Sequence, residues 1–526
     1  MGFAIERTDH DVVPVEKHPL WSFKTFKSVV PVPVASQKYS TFDHPIQSFY
    51  WGDYSATPGH RYTYRVVPRF GHPKNLHAKT NVEVAIDVTT ADPDGGVHGV
   101  FFNRGTSASQ AYVQKFGKPP DKLPPDERLN ALAWLSRGLE EAMLAVIKQA
   151  DSSQWALRAA VYEFTEPPVL RAFKAAHDAG ADVKVIYHAV DDDTGGPNAT
   201  AIADAQLPAE MLIPRLHTKT IAHNKFIVLG RTTAAPQVDP VLVWTGSTNL
   251  SEGGIFGHSN VGHEVRDPAI AHQYLDYWDS VSSDPTTDAL KVWVDAHNPF
   301  DPAKFTDDGA YVVFSPRRGT SPLRWYADRF ASAPVVSNIT FPFGMSNEFE
   351  QPLETSTVDE LRYVLLDKHD NNQETWAAPH NVLVAVGKLA SPDSLTRWAK
   401  EGLTGYNKRV LYLHTKILLV DPISDRPTVI SGSANFSVAS TSSNDENMLV
   451  IVGDTDLADV YLTEYARIFY NFYARYWAAQ LNTQDDDSST HSFLEETAQW
   501  MGPYFASGGS KARVRELFTT QVQANI

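Results

Sequence analysis

The sequence predicts an α/β protein: two pseudo-symmetric α/β sandwich lobes, each a mixed sheet flanked by helices, preceded by a small N-terminal β-sandwich domain. Three observations lead to this prediction. The N-terminal quarter reads as short alternating strands, a strand–helix–strand order then occurs twice, and the same short motif follows each occurrence. At 526 residues the chain exceeds one ordinary hydrophobic core, and we place domains at residues 1–125, 126–300 and 301–526, the last with a C-terminal tail.

The N-terminal region differs in composition from the rest of the chain. It is rich in Val, Tyr and Thr, and segments such as 62–67 and 82–88 alternate apolar and polar residues between turn residues. Such alternation is typical of antiparallel strands. The Pro-rich stretches 117–120 and 123–125 then predict a linker to the next domain.

The remainder of the chain repeats one order of elements. Strand–helix–strand twice over indicates a mixed sheet covered by helices in each half. Two similar halves predict pseudo-two-fold symmetry, which would place their motifs across one cleft. The predicted elements are helix 129–150, strand 157–164, helix 168–179 and strand 183–189 in the first half, and strand 335–343, helix 345–355 and strand 361–367 in the second.

One short motif occurs twice after these elements. Residues His223–Lys225 read His-Asn-Lys and are followed by Gly-Ser-Thr-Asn at Gly246–Asn249. Residues His414–Lys416 read His-Thr-Lys and are followed by Gly-Ser-Ala-Asn at Gly432–Asn435. Each His-x-Lys borders an apolar run that predicts a buried strand. Alternate side chains of a strand share a face, so each histidine projects with its lysine.

A duplicated set of histidine, lysine and asparagine suits phosphodiester chemistry. One imidazole can attack phosphorus, the other can protonate the leaving oxygen, and cations and amides can stabilise the phosphoryl oxygens. His-x-Lys alone carries little information, because it also begins at His72, His77 and His217, which we assign to no site. The alternative is coincidence, and coincidence would have to produce the joint pattern in order twice.

The motif resembles the signature of the phospholipase D superfamily, His-x-Lys-x4-Asp-x6-Gly-Ser-x-Asn, present twice. The second copy carries Asp421 in the aspartate position, with a longer gap before the Gly-Ser pair. The first copy has Gly230 there, followed by an insertion from Arg231 to Pro240 that contains Asp239. In the family this aspartate is mainly structural, so the departure bears on loop geometry rather than on chemistry. The resemblance covers roughly residues 150–480.

The resemblance implies a role for each motif residue and no metal. His223 would be the nucleophile and His414 the general acid and base, because family members with two copies in one chain generally attack with the first histidine. The more complete second motif leaves the reverse open. Glu446, thirteen residues after Ser433, matches the family carboxylate that orients a histidine, here expected to be His414. Asn260 takes that offset in the first copy. The other assignments are phosphoryl-oxygen stabilisation by Lys225, Lys416, Asn249 and Asn435, capping or substrate contact by Ser247 and Ser433, and a structural role for Asp421.

Several of these side chains have a plain structural alternative. The two asparagines could cap the turns that follow Gly-Ser, and Glu446 could be a solvated loop charge. Three further histidines are assigned to no site. His98 is expected to pack among apolar residues, and His258 and His263 lack the second spaced pair of ligands that a metal site needs.

Composition limits the function classes. The formal charge is −16, whereas nucleic-acid binders usually show a basic surface, so a nucleic-acid partner is disfavoured. A local basic stretch, Arg215–Arg231, is present, with a solvated strand edge as its alternative. The absence of cysteine excludes disulfides, thiolate metal sites and a cysteine nucleophile. No apolar run has the length of a membrane span, and no secretory signal is visible, so we expect a cytoplasmic or undetermined location.

The predicted function is that of a metal-independent phosphodiester hydrolase or transferase, without a cofactor, acting through a covalent phosphohistidine. Phospholipid headgroup hydrolysis or exchange is the expected reaction. A small phosphodiester is the other substrate considered, and peripheral contact with a lipid surface is compatible with either. Two alternatives stay open: a nuclease of the same superfamily, and a catalytically inactive binding or scaffold protein, which only the missing first-copy aspartate favours.

Overall fold

The computed structural model describes residues 1–22, 24–33, 37–79, 81–105, 109–191, 193–233, 237–356, 359–370, 372–377, 381–387, 412–482 and 493–524. These residues form two compact units. One contains the described residues of Met1–Asp92 and Tyr473–Ile526, and the other those of Pro93–Ala390 and Lys400–Phe472. Among the described helices none is long and apolar enough to cross a membrane.

The N-terminal unit is built on antiparallel strands, as the sequence predicts. Its main sheet has five strands, and two further pairs of short strands complete it. The C-terminal segment belongs to the same unit: Phe493–Leu494 pairs with Thr25–Phe26, and Trp500 stacks on Phe49 with ring centroids 5.6 Å apart. The strands of the main sheet are Gly2–Asp9, Glu16–Pro19, Arg61–His72, Asn75–Ala78 and Val84–Thr89, the short strands also include Trp21–Ser22 and Tyr39–Ser40, and the C-terminal helices are Gly502–Phe505 and Ser510–Ala524.

The first lobe of the second unit has a mixed seven-stranded sheet between helices. Its two central strands are buried along most of their length, as expected for a sheet covered on both faces. In sheet order the strands are Leu212–Arg215, Asp182–His188, Trp155–Val161, Lys225–Thr232, Val238–Gly246, Val261–Val265 and His98–Phe102, and the helices are Ser109–Phe116, Pro125–Ser136, Leu139–Lys148, Pro167–Asp178, Gly195–Asp204, Pro268–Ser282 and Thr287–His297.

The second lobe repeats this arrangement. In both sheets the strand that follows His-x-Lys lies between a parallel strand pair and the antiparallel strand that leads into Gly-Ser. The predicted pair of pseudo-symmetric lobes is therefore confirmed. In sheet order the strands are Gly309–Ser315, Glu446–Val452, Thr428–Gly432, Ile417–Val420, Val336–Phe341, Leu361–Leu366 and Val382–Val386, and the helices are Ser321–Ala331, Asn347–Thr355, Gln373–Ala377, Val438–Ser442 and Thr455–Asn482.

The compact units divide the chain differently from the predicted domains. Strand His98–Phe102 lies before the predicted linker, yet it pairs with Val261–Val265 at the edge of the first-lobe sheet. The predicted helix 129–150 is two helices, because Arg137 and Gly138 adopt left-handed backbone conformations with φ of 54° and 95°. Such a residue ends a helix, and glycine adopts it without a steric penalty.

Candidate active site

The two motifs meet at one site between the lobes. His223 and His414 are 4% and 3% exposed, and their ring centroids lie 6.4 Å apart with the ring planes 77° from parallel. Each backbone is held by the other lobe: His223 N donates to Asp445 O at 3.0 Å, and His414 N donates to Ser259 O at 3.1 Å. These reciprocal bonds fix the distance between the imidazoles.

The two imidazoles have different partners on Nδ1. His223 Nδ1 lies 2.9 and 3.0 Å from the two carboxylate oxygens of Glu446. His414 Nδ1 lies 2.9 Å from Asn260 Oδ1. The expectation that Glu446 orients His414 is therefore wrong, because the carboxylate crosses to the histidine of the other lobe. Glu446 is fully buried, so it is not a solvated loop charge.

The two serines position these partners. Ser433 Oγ donates to Glu446 at 2.7 Å, and Ser247 Oγ donates to Asn260 Oδ1 at 2.8 Å. Both hydroxyls also accept a backbone N–H, from Asn447 and Val261 respectively. Each serine thus positions the side chain, Glu446 or Asn260, that hydrogen-bonds a motif histidine.

Burial keeps both imidazoles neutral. It lowers the pKa of His223 to about 4, although the adjacent Glu446 carboxylate opposes this shift. It also lowers the pKa of His414 well below its ordinary value, with Lys416 acting in the same direction. With Nδ1–H donated to the carboxylate, His223 carries its lone pair on Nε2, the form that can attack phosphorus. A positive charge on this ring would face a buried carboxylate.

Two buried ammonium groups accompany the histidines. Lys225 Nζ and Lys416 Nζ each donate to the carbonyl oxygen of the histidine two residues earlier, at 2.6 Å. Burial lowers the pKa of Lys225 to about 7 and that of Lys416 well below its ordinary value. Each amine has further protons to donate, so the two lysines together can bind the oxygens of a tetrahedral oxyanion.

We expect the affinity for sulfate to fall as the pH rises from 6 to 9. Lys225 is cationic below about pH 7 and loses its proton above it, whereas both imidazoles of the unliganded site are neutral across this window. Linkage to the Lys225 proton alone gives a loss of at most about tenfold per pH unit. Calorimetric titration with sulfate measures it, since this ion keeps its charge. Lys225→Met should bind weakly with a flatter profile, and Lys122→Met on the surface should match the native protein. An affinity that rises with pH would contradict the assignment.

The asparagines of both motifs keep their side chains free. Asn249 is 4% exposed and Asn435 is half-buried, and neither side chain makes a hydrogen bond within the described part of the chain. The alternative that they cap turns is therefore excluded for these side chains. Because neither Nδ2 group donates within this part of the chain, both amides can donate to phosphoryl oxygens.

The comparisons with known proteins agree with this geometry. Residues 144–281 and 364–469, which contain both motifs, match the family described as cardiolipin synthase, PLD-like domain. These two regions of the chain therefore carry the phospholipase D-like domain. No curated protein matches the chain as a whole or in part.

Parts of the chain are similar to several solved structures. A phosphatidylserine synthase from Haemophilus influenzae Rd KW20 is 13% identical, over 73% of this chain and 93% of its own, with a TM-score of 0.42. A polyphosphate kinase from Porphyromonas gingivalis is 10% identical, over 73% of this chain, with a TM-score of 0.40; the chain spans about half (51%) of that kinase. Nuc from Salmonella typhimurium, a phospholipase D family member, is 27% identical over 27% of this chain and 84% of its own, with a TM-score of 0.22.

The superfamily's aspartate position differs between the copies. Asp421 Oδ1 accepts from the backbone N–H groups of Val335 and Val336, at 2.8 and 3.0 Å, and so fixes the start of the neighbouring strand. In the first copy Gly230 lies at a β-bulge, and the hairpin continues to Thr232. Backbone pairing, rather than the Asp239 side chain, thus replaces the missing carboxylate.

Gly230→Asp is expected to destabilise the fold by about 1–3 kcal/mol, the range for overpacking. A Cβ at this position would lie 2.5 Å from Val238 Cγ1 and 2.8 Å from Asp239 O. Urea unfolding measures the change. Gly196→Asp is the control, because a Cβ there has nothing within 4 Å. Equal unfolding midpoints for both variants would show that the bulge accommodates a carboxylate.

Arg215 ties the lobes together below the histidines. It is fully buried, and its Nε donates to Asp445 Oδ2 at 2.9 Å while Nη1 donates to Asp284 Oδ1 at 2.7 Å. A solvated strand edge is thus the wrong interpretation for this residue. Since Asp445 O accepts from His223 N, the ion pair supports the backbone of His223.

Two residues that the motifs do not name border the site. The Tyr162 ring lies 5.0 Å from the His223 ring, edge to face, and 5.3 Å from Lys225 Nζ. Glu163 follows it. The signal that locates them is strand register: Val161 pairs with Lys225, so the residues just beyond lie next to the motif. Within the described residues no group of three His, Cys, Asp or Glu side chains is arranged to hold a metal.

Proposed function

We propose that this chain is a metal-independent phosphodiesterase or phosphatidyl transferase that acts through a covalent phosphohistidine on His223 and cleaves or exchanges phospholipid headgroups. Membership of the superfamily indicates phosphodiester hydrolysis or transfer. The observation that carries the finer proposal is the facing pair of neutral imidazoles, of which only His223 is backed by a buried carboxylate.

In the first step His223 Nε2 forms a bond to phosphorus while the bond from phosphorus to the leaving oxygen breaks. The leaving oxygen takes the electron pair and a proton from the His414 imidazolium. This imidazolium forms when the anionic diester is bound, because the diester's charge offsets the burial that otherwise keeps the ring neutral. Glu446 stabilises the positive charge on the phosphorylated ring. Lys225 and Lys416 balance the charge on the phosphoryl oxygens.

In the second step the now neutral His414 removes a proton from water or from an acceptor alcohol. The resulting oxygen nucleophile attacks phosphorus, and the bond to His223 Nε2 breaks with its electron pair returning to the ring. One phosphodiester bond is broken and one formed when an alcohol attacks, whereas water gives the phosphomonoester. Asn249 and Asn435 donate to the phosphoryl oxygens throughout.

Glu163 supports a substrate with a cationic group. Leu250 N, next to Asn249, donates to Glu163 O at 3.2 Å, and Ser251 Oγ donates to the Glu163 carboxylate at 2.5 Å. The same carboxylate acts to raise the pKa of both motif lysines, against the larger effect of burial, so it lies within electrostatic range of the phosphate position.

The charges of the site then favour a zwitterionic diester. An ammonium headgroup can pair with the Glu163 carboxylate while its phosphate lies at the motif lysines, whereas a polynucleotide adds several negative charges to a chain that already carries −16. This supports a phospholipid headgroup over nucleic acid.

Headgroup release from zwitterionic phospholipid vesicles in EDTA, beside cleavage of single-stranded DNA, tests the proposal. We expect lipid turnover and little DNA cleavage. Glu163→Gln should lower kcat/KM for zwitterionic lipid about twofold to fivefold relative to phosphatidylglycerol, which corresponds to one partly exposed charge pair. Glu252→Gln is the control, because Glu252 follows Ser251 in the chain but pairs with Arg128. DNA cleavage without lipid turnover would indicate a nuclease, and inertness towards every diester a binding protein.

A further inference from the structure

A third imidazole lies beside the catalytic pair. His258 follows the helical turn Gly253–Gly257, is 8% exposed, and its ring centroid lies 4.7 Å from that of His414. Asn103 Nδ2 fixes this segment by donating to His258 O at 2.9 Å. The two steps described above make no use of this side chain.

The hydrogen bonds of Asn260 determine the tautomer of His258. Asn260 Nδ2 donates to Gly254 O at 2.7 Å, and because a carbonyl can only accept, the orientation of the amide is fixed. Asn260 Oδ1 accepts from Ser247 Oγ and His414 Nδ1. The second proton on Nδ2 therefore goes to His258 Nδ1, 2.9 Å away. With Nδ1 as an acceptor, neutral His258 carries its proton on Nε2.

The Nε2–H group of His258 is free to bind a ligand. It makes no hydrogen bond within the described part of the chain, and its nitrogen is not closed off from solvent. Burial, together with the charge of Lys416, lowers the pKa of His258 to about 3, so the ring remains neutral. A second proton would also break its bond to Asn260. The group is thus a fixed hydrogen-bond donor rather than an acid or base.

The other half of the site has no histidine at the corresponding position. Counted from the serines, Asn260 corresponds to Glu446, and His258 corresponds to Asn444. Asn444 Nδ2 donates one of its protons to Glu446 at 3.0 Å, and its Oδ1 accepts from Thr220 Oγ1 at 2.6 Å. The half that lacks the carboxylate therefore gains an open N–H beside His414.

We infer that His258 is a further catalytic residue, whose neutral Nε2–H donates to a non-bridging oxygen of the phosphoryl group held between His223 and His414. The inference rests on the proposed function. Negative charge shifts onto these oxygens as the transition state forms, and a donor that needs no reorganisation stabilises it there. Such a donor acts on every substrate alike, whatever the acidity of its leaving group.

Steady-state kinetics on two diesters tests this inference, one with a p-nitrophenol leaving group and one with an alkyl alcohol. His258→Phe keeps the ring but removes the donor, and should lower kcat about 10²–10³-fold on both, the cost of one oxyanion donor. His258→Gln, whose amide can reach the same oxygen, should recover at least about tenfold of that loss. Should phenylalanine not be tolerated, His258→Asn, too short to donate, replaces it. The exposed His272→Phe is the control.

The outcomes separate this inference from the proposed function. A His258→Phe variant within threefold of an active native enzyme would overturn the inference alone. Equal losses in the Phe and Gln variants, with a lowered unfolding midpoint, would assign His258 to packing and overturn it too. A native enzyme inert on both diesters would end the proposed function and this inference with it.

Discussion

Replacement of His223 by alanine is expected to lower kcat on the order of 10⁴-fold or more, as removal of a nucleophile does, and to abolish the covalent phosphoenzyme. Of the two motif imidazoles, only this one combines a free Nε2 lone pair with a buried carboxylate on Nδ1. Without it, no group accepts the phosphoryl moiety. Turnover of a p-nitrophenyl diester in EDTA, with mass spectrometry of the quenched protein, measures both effects.

His272→Ala is the matched control for this experiment. His272 is an exposed histidine on helix Pro268–Ser282, with 63% of its side chain accessible, and its loss should leave turnover unchanged. The unfolding midpoint of each variant separates loss of chemistry from loss of fold. A phosphoenzyme that still forms in the His223→Ala variant would assign the nucleophile elsewhere.

Replacement of His414 by alanine should have an effect that depends on the leaving group. With an alkyl alcohol we expect a loss of about 10²–10⁴-fold, the usual contribution of general acid–base catalysis. With p-nitrophenol, which departs without a proton, the phosphoenzyme should still form. Breakdown of that adduct also needs His414 as a base, so the adduct should accumulate. Rapid quenching followed by quantification of the adduct measures both steps.

One result of this experiment would contradict the role of His414 as general acid. If the His414→Ala variant forms no adduct even with p-nitrophenol, then this residue takes part in attack rather than in proton transfer. Asn260→Asp supplies a further check. A carboxylate on Nδ1 should raise the pKa of His414 and shift the alkaline limb of the kcat profile upward, since a nearby negative charge favours the imidazolium.

The bilobal part of the fold was predictable because its signals are local. Apolar runs beside each His-x-Lys and the repeated strand–helix–strand order identify both sheets. The position of strand His98–Phe102 in the first-lobe sheet was not predictable, because its partner Val261–Val265 lies far along the chain. The association of Phe493–Leu494 with Thr25–Phe26 depends on a still longer sequence separation. No periodicity within one segment reports such pairings.

Much of the candidate site was predictable for a similar reason. The spacing of the two motifs alone identifies their histidines, lysines and asparagines. The partner of Glu446 was assigned to the wrong histidine, because spacing within one copy says nothing of a crossover between lobes. His258 carries no motif position. Its importance follows from the hydrogen bonds of Asn260, which only coordinates reveal.

Mass spectrometry of the native enzyme, quenched in alkali during turnover of a p-nitrophenyl diester, identifies the residue that attacks phosphorus. We expect one phosphoryl adduct, on the peptide that contains His223, at a level that falls when an acceptor alcohol is added. An adduct on His414, or sustained turnover with no adduct on either histidine, would contradict this expectation.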